Sequence, residues 1–362
     1  MPYSSSIAQN QDARICLAQS RFTGQVGRVC VTACGKMTIM STKPIVLITR
    51  RIPTPLVDRI EAESTVRYWD SDDTMPRREL LAQAAGVAGI YCLITDRIDA
   101  ELLDAAGPSL RVVSTMSVGV DHIDVAACRA RGVVVGHTPD VLTETTADLT
   151  LALMLATARR LPEALAAVKD GSWGTWHPFW MTGIDLYGST VGIVGLGRIG
   201  VAVARRLLGF GCDILYTGRR PNEEHAAAAQ ASYRTLDELL AASDIVTLHC
   251  PLTAETRHLI DVTALGKMKR SALLINTSRG PVVDQDALFA ALVDGTIAGA
   301  GLDVTTPEPL PTDHPLLTLP NCVVLPHIGS ATVATRQRMA AIAADNLVAG
   351  VLGRPLPFAL AT

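Results

Sequence analysis

The feature that most restricts this chain is a glycine-spaced turn held between a strand and a helix. Gly195-Leu-Gly197-Arg-Ile-Gly200 follows the apolar run Val191-Gly-Ile-Val194 and opens an amphipathic stretch over 199–208. Alone, the Gly-x-Gly-x-x-Gly spacing says little, because glycine is common in loops. Between a strand and a helix it reads as a βαβ unit built for a dinucleotide. The first glycine permits the tight turn, the second lets backbone approach a pyrophosphate, and the third lets the helix pack on the strand. The helix N-terminus adds free N–H groups and a partial positive charge that suit phosphates. Gly195, Gly197 and Gly200 are therefore the first candidate binding residues.

The rest of the chain fits such a unit. From Ile45 onward, short β-branched runs alternate with longer amphipathic ones. Strands are expected at 45–48, 89–94, 110–114 and 133–135, with helices at 77–85, 99–106 and 121–131. A second series predicts strands at 191–194, 214–217, 245–249, 273–276, 300–304 and 323–325. Its helices include 236–242, 285–293 and 334–348. A single long helix over 143–168, begun near Thr143 and Thr146 and closed by Gly171, would join the two series. Repeated strand–helix units imply parallel sheets with helices on both faces. Aromatic residues make up only 4% of the chain, so Ala, Val, Ile and Leu must fill the core, which suits strands buried on both sides. With 362 residues and ~150 per domain, two domains are expected.

Several classes of function are set aside. The net charge of −3 offers no basic footprint for nucleic acid. No apolar stretch in the helical region approaches the ~20 residues needed to span a bilayer. The cysteines contain no Cys-x-x-Cys and no pattern that completes a metal site. Cys16, Cys30, Cys34, Cys92, Cys128, Cys212, Cys250 and Cys322 read as free thiols of a reducing, cytoplasmic compartment. Residues 1–43 stand apart. They carry Arg14, Arg21, Arg28, Lys36 and Lys43 against Asp12 alone, together with several serines. The expectation is an unstructured leader, or an upstream start ahead of Met40. A basic, acid-poor, serine-bearing start is also how an organelle transit peptide reads. Three of the four tryptophans, Trp173, Trp176 and Trp180, fall in the aperiodic stretch 172–188. Interfaces favour such residues, and a loop folded on its own domain is the alternative.

The candidate chemistry sits at strand ends. The strand at 214–217 runs into Gly218-Arg219-Arg220. An NAD site usually has an acid there for the ribose 2′-hydroxyl, whereas a guanidinium suits a 2′-phosphate. The missing acid and the two arginines favour NADP(H), with NAD(H) as the alternative. His327 follows a strand in Leu325-Pro-His-Ile-Gly329. Glu308 lies between Pro307 and Pro309, which would hold it on extended backbone. A carboxylate beside an imidazole stabilises the imidazolium. Arg279, in Asn276-Thr-Ser-Arg-Gly280, could fork onto a substrate carboxylate.

Over residues 44–362 the chain resembles the D-isomer-specific 2-hydroxyacid dehydrogenases. The resemblance rests on Ser114-Thr-Met-Ser-Val-Gly-Val-Asp-His122, the glycine turn, His249-Cys-Pro-Leu-Thr253 and Leu274-Ile-Asn-Thr-Ser-Arg-Gly280. Gly301-Leu-Asp-Val304 with Pro307-Glu-Pro309, and Pro326-His-Ile-Gly-Ser330, complete it. Within the family it is most similar to glyoxylate/hydroxypyruvate reductases, through Thr138-Pro-Asp-Val-Leu142, the tryptophan stretch and Pro309-Leu-Pro-Thr-Asp-His-Pro-Leu316. The resemblance implies an α/β chain with two Rossmann-like doubly wound domains, the nucleotide-binding domain inserted into the substrate domain. The substrate domain would comprise 44–141 and 333–362, and the dinucleotide domain 142–332. It implies reduction of small 2-oxo acids, with His327 as general acid, Glu308 as its partner and Arg279 on the substrate carboxylate. Val118 and Gly119 backbone, Ser330 and Trp176 would also meet substrate, Trp176 from the other subunit of a homodimer. Arg198, Ile199, Gly218, Pro251, Thr277 and Asp303 would join the glycines and arginines in holding the cofactor. No metal is expected. Another dehydrogenase of the family, such as one for phosphoglycerate, is the alternative enzyme, although no regulatory domain is expected after the last helix. A dinucleotide-sensing, corepressor-like protein is the alternative from another class.

Overall fold

The computed structural model describes residues 43–360, together with the strand backbone of 28–31 and 37–40. Within the stretch expected to be a leader, β1 (Arg28–Val31) and β2 (Met37–Met40) pair antiparallel. The rest of that expectation, up to residue 42, lies outside the described residues.

A five-stranded parallel sheet comes next in the chain. Its elements are β3 (Ile45–Ile48), α1 (Thr54–Glu63), β4 (Thr65–Tyr68), α2 (Arg77–Ala84), β5 (Gly89–Cys92), α3 (Ala100–Ala106), β6 (Val112–Thr115), α4 (Val125–Ala130) and β7 (Val134–Gly136). The strand order is β4-β3-β5-β6-β7. The central strands β5 and β6 are buried along their whole length, whereas edge strand β4 is not. That explains why β4 and α1 escape a reading based on apolar runs: β4 is Thr-Val-Arg-Tyr, and prolines 53 and 55 read as punctuation. Pro55 instead occupies the first turn of α1, where its missing N–H costs nothing. The helix expected over 121–131 shrinks to α4. The Asp124 side chain accepts from Ala127 N and starts the helix there, leaving Asp121 free for another partner.

Two helices then replace the one expected over 143–168. They are α5 (Thr143–Ala158) and α6 (Leu161–Asp170). Pro162 is the cause. In a continuous helix its ring would strike the carbonyl four residues earlier, that of Ala158. Arg160 turns into the left-handed region at φ 52, and Ala158 O accepts from Ile184 N at 3.0 Å instead. Residues 172–188 form neither helix nor strand.

The second sheet is built from β8 (Thr190–Val194), α7 (Arg198–Leu208), β9 (Asp213–Thr217), α8 (Glu223–Ala229), β10 (Ala231–Tyr233), α9 (Leu236–Ala242), β11 (Ile245–Leu248), α10 (Val262–Lys267), β12 (Leu273–Asn276), α11 (Gln285–Val293), β13 (Gly299–Leu302) and β14 (Cys322–Val324). All seven strands are parallel, in the order β10-β9-β8-β11-β12-β13-β14. One face packs Val191, Ile193 and Ile275 against Met154 of α5 and Ala202 of α7. The other packs Val246, Leu248 and Leu274 against Leu239, Leu265 and Leu288. The last helix, α12 (Val333–Val351), returns to the first sheet. There Ala343, Ala344 and Leu347 cover Val46, Ile48 and Val112.

Both sheets are doubly wound, and each reverses direction once: between β3 and β5, and between β8 and β11. In such sheets ligands bind beyond the carboxyl ends of the strands at the reversal. Among the described residues no helix is long and apolar enough to cross a membrane.

Candidate active site

The carboxyl ends of both sheets open into one cleft of about 670 Å³. The first sheet contributes Arg50 after β3, Leu93, Ile94 and Thr95 after β5, and the segment from Met116 to Asp121 after β6. The second contributes His249 to Thr253 after β11, Thr277 to Arg279 after β12, Asp303 after β13, and His327, Gly329 and Ser330 after β14.

His327 is fixed from two sides. Its backbone N–H donates to Asp303 O at 2.9 Å, and the next two N–H groups, of Ile328 and Gly329, donate to the Asp303 carboxylate at 2.8 Å each. Asp303 is only 1% exposed. Burial pushes its carboxyl above the usual range against those two bonds. It therefore shapes the loop that presents the imidazole. On the ring, Nδ1 donates to Glu308 Oε2 at 2.8 Å. Thr305 N holds the other Glu308 oxygen at 3.1 Å. Burial works to raise the Glu308 pKa, but the His327 bond and charge, the Thr305 N–H and Arg279 outweigh it and hold the carboxyl below its ordinary value. An ionised Glu308 accepts only, so Nδ1 carries a proton and Nε2 is left for the cleft. The extended backbone expected around Glu308 is more sharply shaped than that: Thr306–Pro307 and Glu308–Pro309 are both cis, an isomer that the tertiary amide makes accessible.

Two other histidines near the cleft cannot play this part. His249 is half-buried, and desolvation pushes it down to about 3. His122 is pushed down to about 4, by burial above all. Both are neutral near pH 7, and each meets a threonine hydroxyl, not a carboxylate.

Arg279 reaches across the cleft. Its Nε donates to Asp121 Oδ1 at 2.9 Å and Nη1 to Ser278 O at 2.9 Å. The loop beneath it is pinned by buried Asn276, which donates to Arg279 O and accepts from Ser278 N and Oγ. The guanidinium lies directly over the 118–119 backbone: a Cβ on Gly119 would fall 1.8 Å from Arg279 Nη2. Val118, Gly119 and Arg279 thus stand side by side in the cleft wall.

The glycine turn fits a dinucleotide. Gly195 has φ +98, and a Cβ there would lie 2.7 Å from Cys250 N. A Cβ on Gly200 would lie 2.4 Å from Gly195 O. Gly197 starts α7 without any side-chain cap, and nothing stands within 4 Å of where its Cβ would be. Free N–H groups therefore face open space, as a pyrophosphate requires. Ile199, Pro251 and Thr277 line the cleft beside the turn. Arg198 is tied to Asp140 at 2.8 Å. Gly218, Arg219 and Arg220 follow β9 and are exposed, one strand away from the turn and outside the cleft lining.

Trp176, too, lies outside this chain's own cleft. It is 81% exposed and absent from the lining. Three charged lining residues escape the sequence reading: Arg50, Asp121 and Arg336. Arg50 joins three strand-end loops, donating to Asp72 O, Thr74 Oγ1 and Thr95 Oγ1 at 2.9–3.0 Å. Its place after β3, at the reversal, is the signal that could have found it. Asp121 likewise follows a strand end, that of β6, whereas Arg336, on α12, offers no comparable signal. Among the described residues no group of His, Cys, Asp and Glu gathers to hold a metal ion.

A family model for the D-isomer specific 2-hydroxyacid dehydrogenase, NAD binding domain, matches residues 151–329. A human glyoxylate reductase/hydroxypyruvate reductase is 53% identical over 315 residues, covering 86% of this chain and 96% of the relative. Among solved structures, a protein from Thermus thermophilus superposes with TM-score 0.81 at 49% identity, covering 88% of this chain and 100% of that one. An NADPH-dependent glyoxylate/hydroxypyruvate reductase from Sinorhizobium meliloti, in complex with NADP and malonate, gives TM-score 0.78 at 36% identity, covering 88% and 97%.

Proposed function

This chain belongs to the D-isomer-specific 2-hydroxyacid dehydrogenase family, and we propose that it reduces glyoxylate and hydroxypyruvate to glycolate and D-glycerate. The observation that carries this reading is the His327–Glu308 pair facing Arg279 across one cleft at the strand ends. Arg279 and the Val118 and Gly119 N–H groups hold the substrate carboxylate. His327 Nε2 gives its proton to the carbonyl oxygen, and Glu308 holds the imidazolium charge until then. Negative charge grows on that oxygen during reduction, where a cation and N–H donors stabilise it. A dihydronicotinamide held there would supply the hydride. Gly195, Gly197, Gly200, Ile199, Pro251 and Thr277 would hold that cofactor, and Asp303 keeps the His327 loop in place. Ser330 touches substrate.

The two units work as domains. Residues 44–141 and 333–362 form the substrate-binding domain and 142–332 the dinucleotide-binding domain. The return of α12 to the first sheet supports this division.

The cofactor preference is for NADP(H). Arg219 and Arg220 stand where the ribose 2′-position is read, with no acid in that place. A panel of glyoxylate, hydroxypyruvate and pyruvate with NADPH and NADH tests the whole reading. Glyoxylate and hydroxypyruvate are expected to oxidise NADPH fastest. Replacing Arg219 and Arg220 by Ala is expected to raise the KM for NADPH about 10²-fold and to leave that for NADH nearly unchanged. No turnover with any 2-oxo acid would falsify the enzyme reading, and an equal loss with both cofactors removes the arginines from the 2′-phosphate.

The active form is a homodimer. Leu161, Leu165 and Val168 make one exposed stripe along α6, and Trp173, Trp176 and Phe179, which follow in the chain, are exposed as well. Monomers rarely leave so much apolar surface in water. Trp176 of each subunit meets substrate bound to the other. Trp176→Ala is expected to raise KM for hydroxypyruvate about 5–10-fold, measured with NADPH saturating. An unchanged KM and an unchanged hydroxypyruvate-to-glyoxylate ratio would exclude that contact. Cys92, Cys128, Cys212, Cys250 and Cys322 are free, which supports a cytoplasmic location.

A further inference from the structure

We propose that His225 is a positioning residue for the 2′-phosphate subsite, docking the loop that carries Arg219 and Arg220 against the glycine turn. The inference rests on the NADP(H) reading above. The loop leaves β9 and enters α8. Tyr216 Oη accepts from Asn222 N at 3.0 Å and closes the loop on its own strand. The Asn222 side chain accepts from His225 N at 3.0 Å and starts α8. Half-buried His225 then donates from Nδ1 to Leu196 O at 2.7 Å. A carbonyl can only accept, so Nδ1 carries the proton. Leu196 lies between Gly195 and Gly197. This bond therefore joins the turn that holds the pyrophosphate to the helix that follows the arginines, across 29 residues.

The two sides of the bond differ in what else holds them. The turn has its own support: Gly195 N donates to Thr217 O at 2.9 Å and Val201 N to Gly197 O at 2.9 Å. The arginines do not. Among the described residues neither guanidinium has a hydrogen-bond or ion-pair partner, and both side chains stand in solvent. Ordering two such side chains around a phosphate costs less when their backbone is already placed. Loss of His225 should therefore loosen the arginines and spare the turn. Ligands with a 2′-phosphate should suffer, and those without should not.

Titration calorimetry on the full chain tests this with adenosine 2′,5′-bisphosphate, ADP, NADPH and NADH. His225→Ala is expected to weaken the bisphosphate and NADPH about 5–10-fold and to change ADP and NADH by less than about twofold. His225→Asn keeps an N–H donor near the Nδ1 position and is expected to restore most of the loss. Equal losses for all four ligands overturn the proposal. So does a loss in His225→Asn as large as in His225→Ala. If His225→Ala binds normally while the Arg219→Ala/Arg220→Ala variant loses the bisphosphate, the clamp is wrong and the NADP(H) reading stands. If the double arginine variant binds the bisphosphate like the parent protein, the reading fails and the clamp falls with it.

Discussion

Replacing His327 by Gln is expected to lower kcat for glyoxylate reduction at least ~10²-fold, with NADPH affinity nearly unchanged. The substitution keeps the size and a hydrogen-bonding end but removes the one imidazole at the cleft that, among the described residues, is paired with a carboxylate. The other two, His249 and His122, are half-buried, held neutral by desolvation and already bonded to threonines, so neither can take over. The loop itself should survive, because Asp303 holds it through the backbone of residues 327–329. Binding measured beside kcat separates lost chemistry from lost structure. Near-normal turnover removes His327 from proton transfer. The pH dependence follows from Glu308, whose folded pKa lies below its ordinary value. Its contribution to stability is then fully present above the unfolded value of ~4.3 and is lost as pH falls through the lower folded value. Acid should therefore loosen the His327 loop only below about pH 4.

Arg279→Gln is expected to cost about 10³-fold in kcat/KM, shared between a higher KM and a lower kcat. A forked pair of charged hydrogen bonds to the carboxylate disappears, and a partner is stranded. Asp121 now bonds Arg279 Nε, with the two side chains only 30% and 21% exposed respectively. Freed of Arg279, its charge faces the incoming carboxylate through little solvent screening. Arg279→Gln combined with Asp121→Asn should therefore recover part of the loss, a non-additive result expected of groups in contact. Arg279→Lys keeps charge but not the fork, and should fall between. If Arg279→Gln leaves KM within about twofold of the parent, the carboxylate is held elsewhere, with Arg50 as the next cation in the cleft.

Much of this molecule was legible before its structure. The strand at 273–276 and the helices at 236–242 and 285–293 match residue for residue. Their apolar pattern and their punctuation agree, and their neighbours ask nothing further of them. Edge elements were less legible. β4, α8 and β10 are short and half-exposed, so they carry little apolar signal, and α1 opens on prolines that read as punctuation. The long helix over 143–168 failed for a different reason. Its apolar residues do continue, but Pro162 and the left-handed Arg160 end one helix and start another. Periodicity counts side chains, whereas the break is decided by one backbone carbonyl.

The site divides in the same way. Gly195, Gly197 and Gly200 announce themselves because a turn, a close approach and a helix contact are all needs of adjacent residues. His327, Glu308 and Arg279 could be placed at strand ends and no further. The tertiary structure brought them together. Arg279 meets Asp121 across 158 residues of chain, and His225 reaches Leu196 from another helix. Sequence by itself determined local geometry and the parallel α/β architecture, because both follow from spacings of a few residues. Only the order in which strands lie side by side decided which loops share a cleft. That order is settled by packing of whole sheets and helices, a long-range condition that no short motif records.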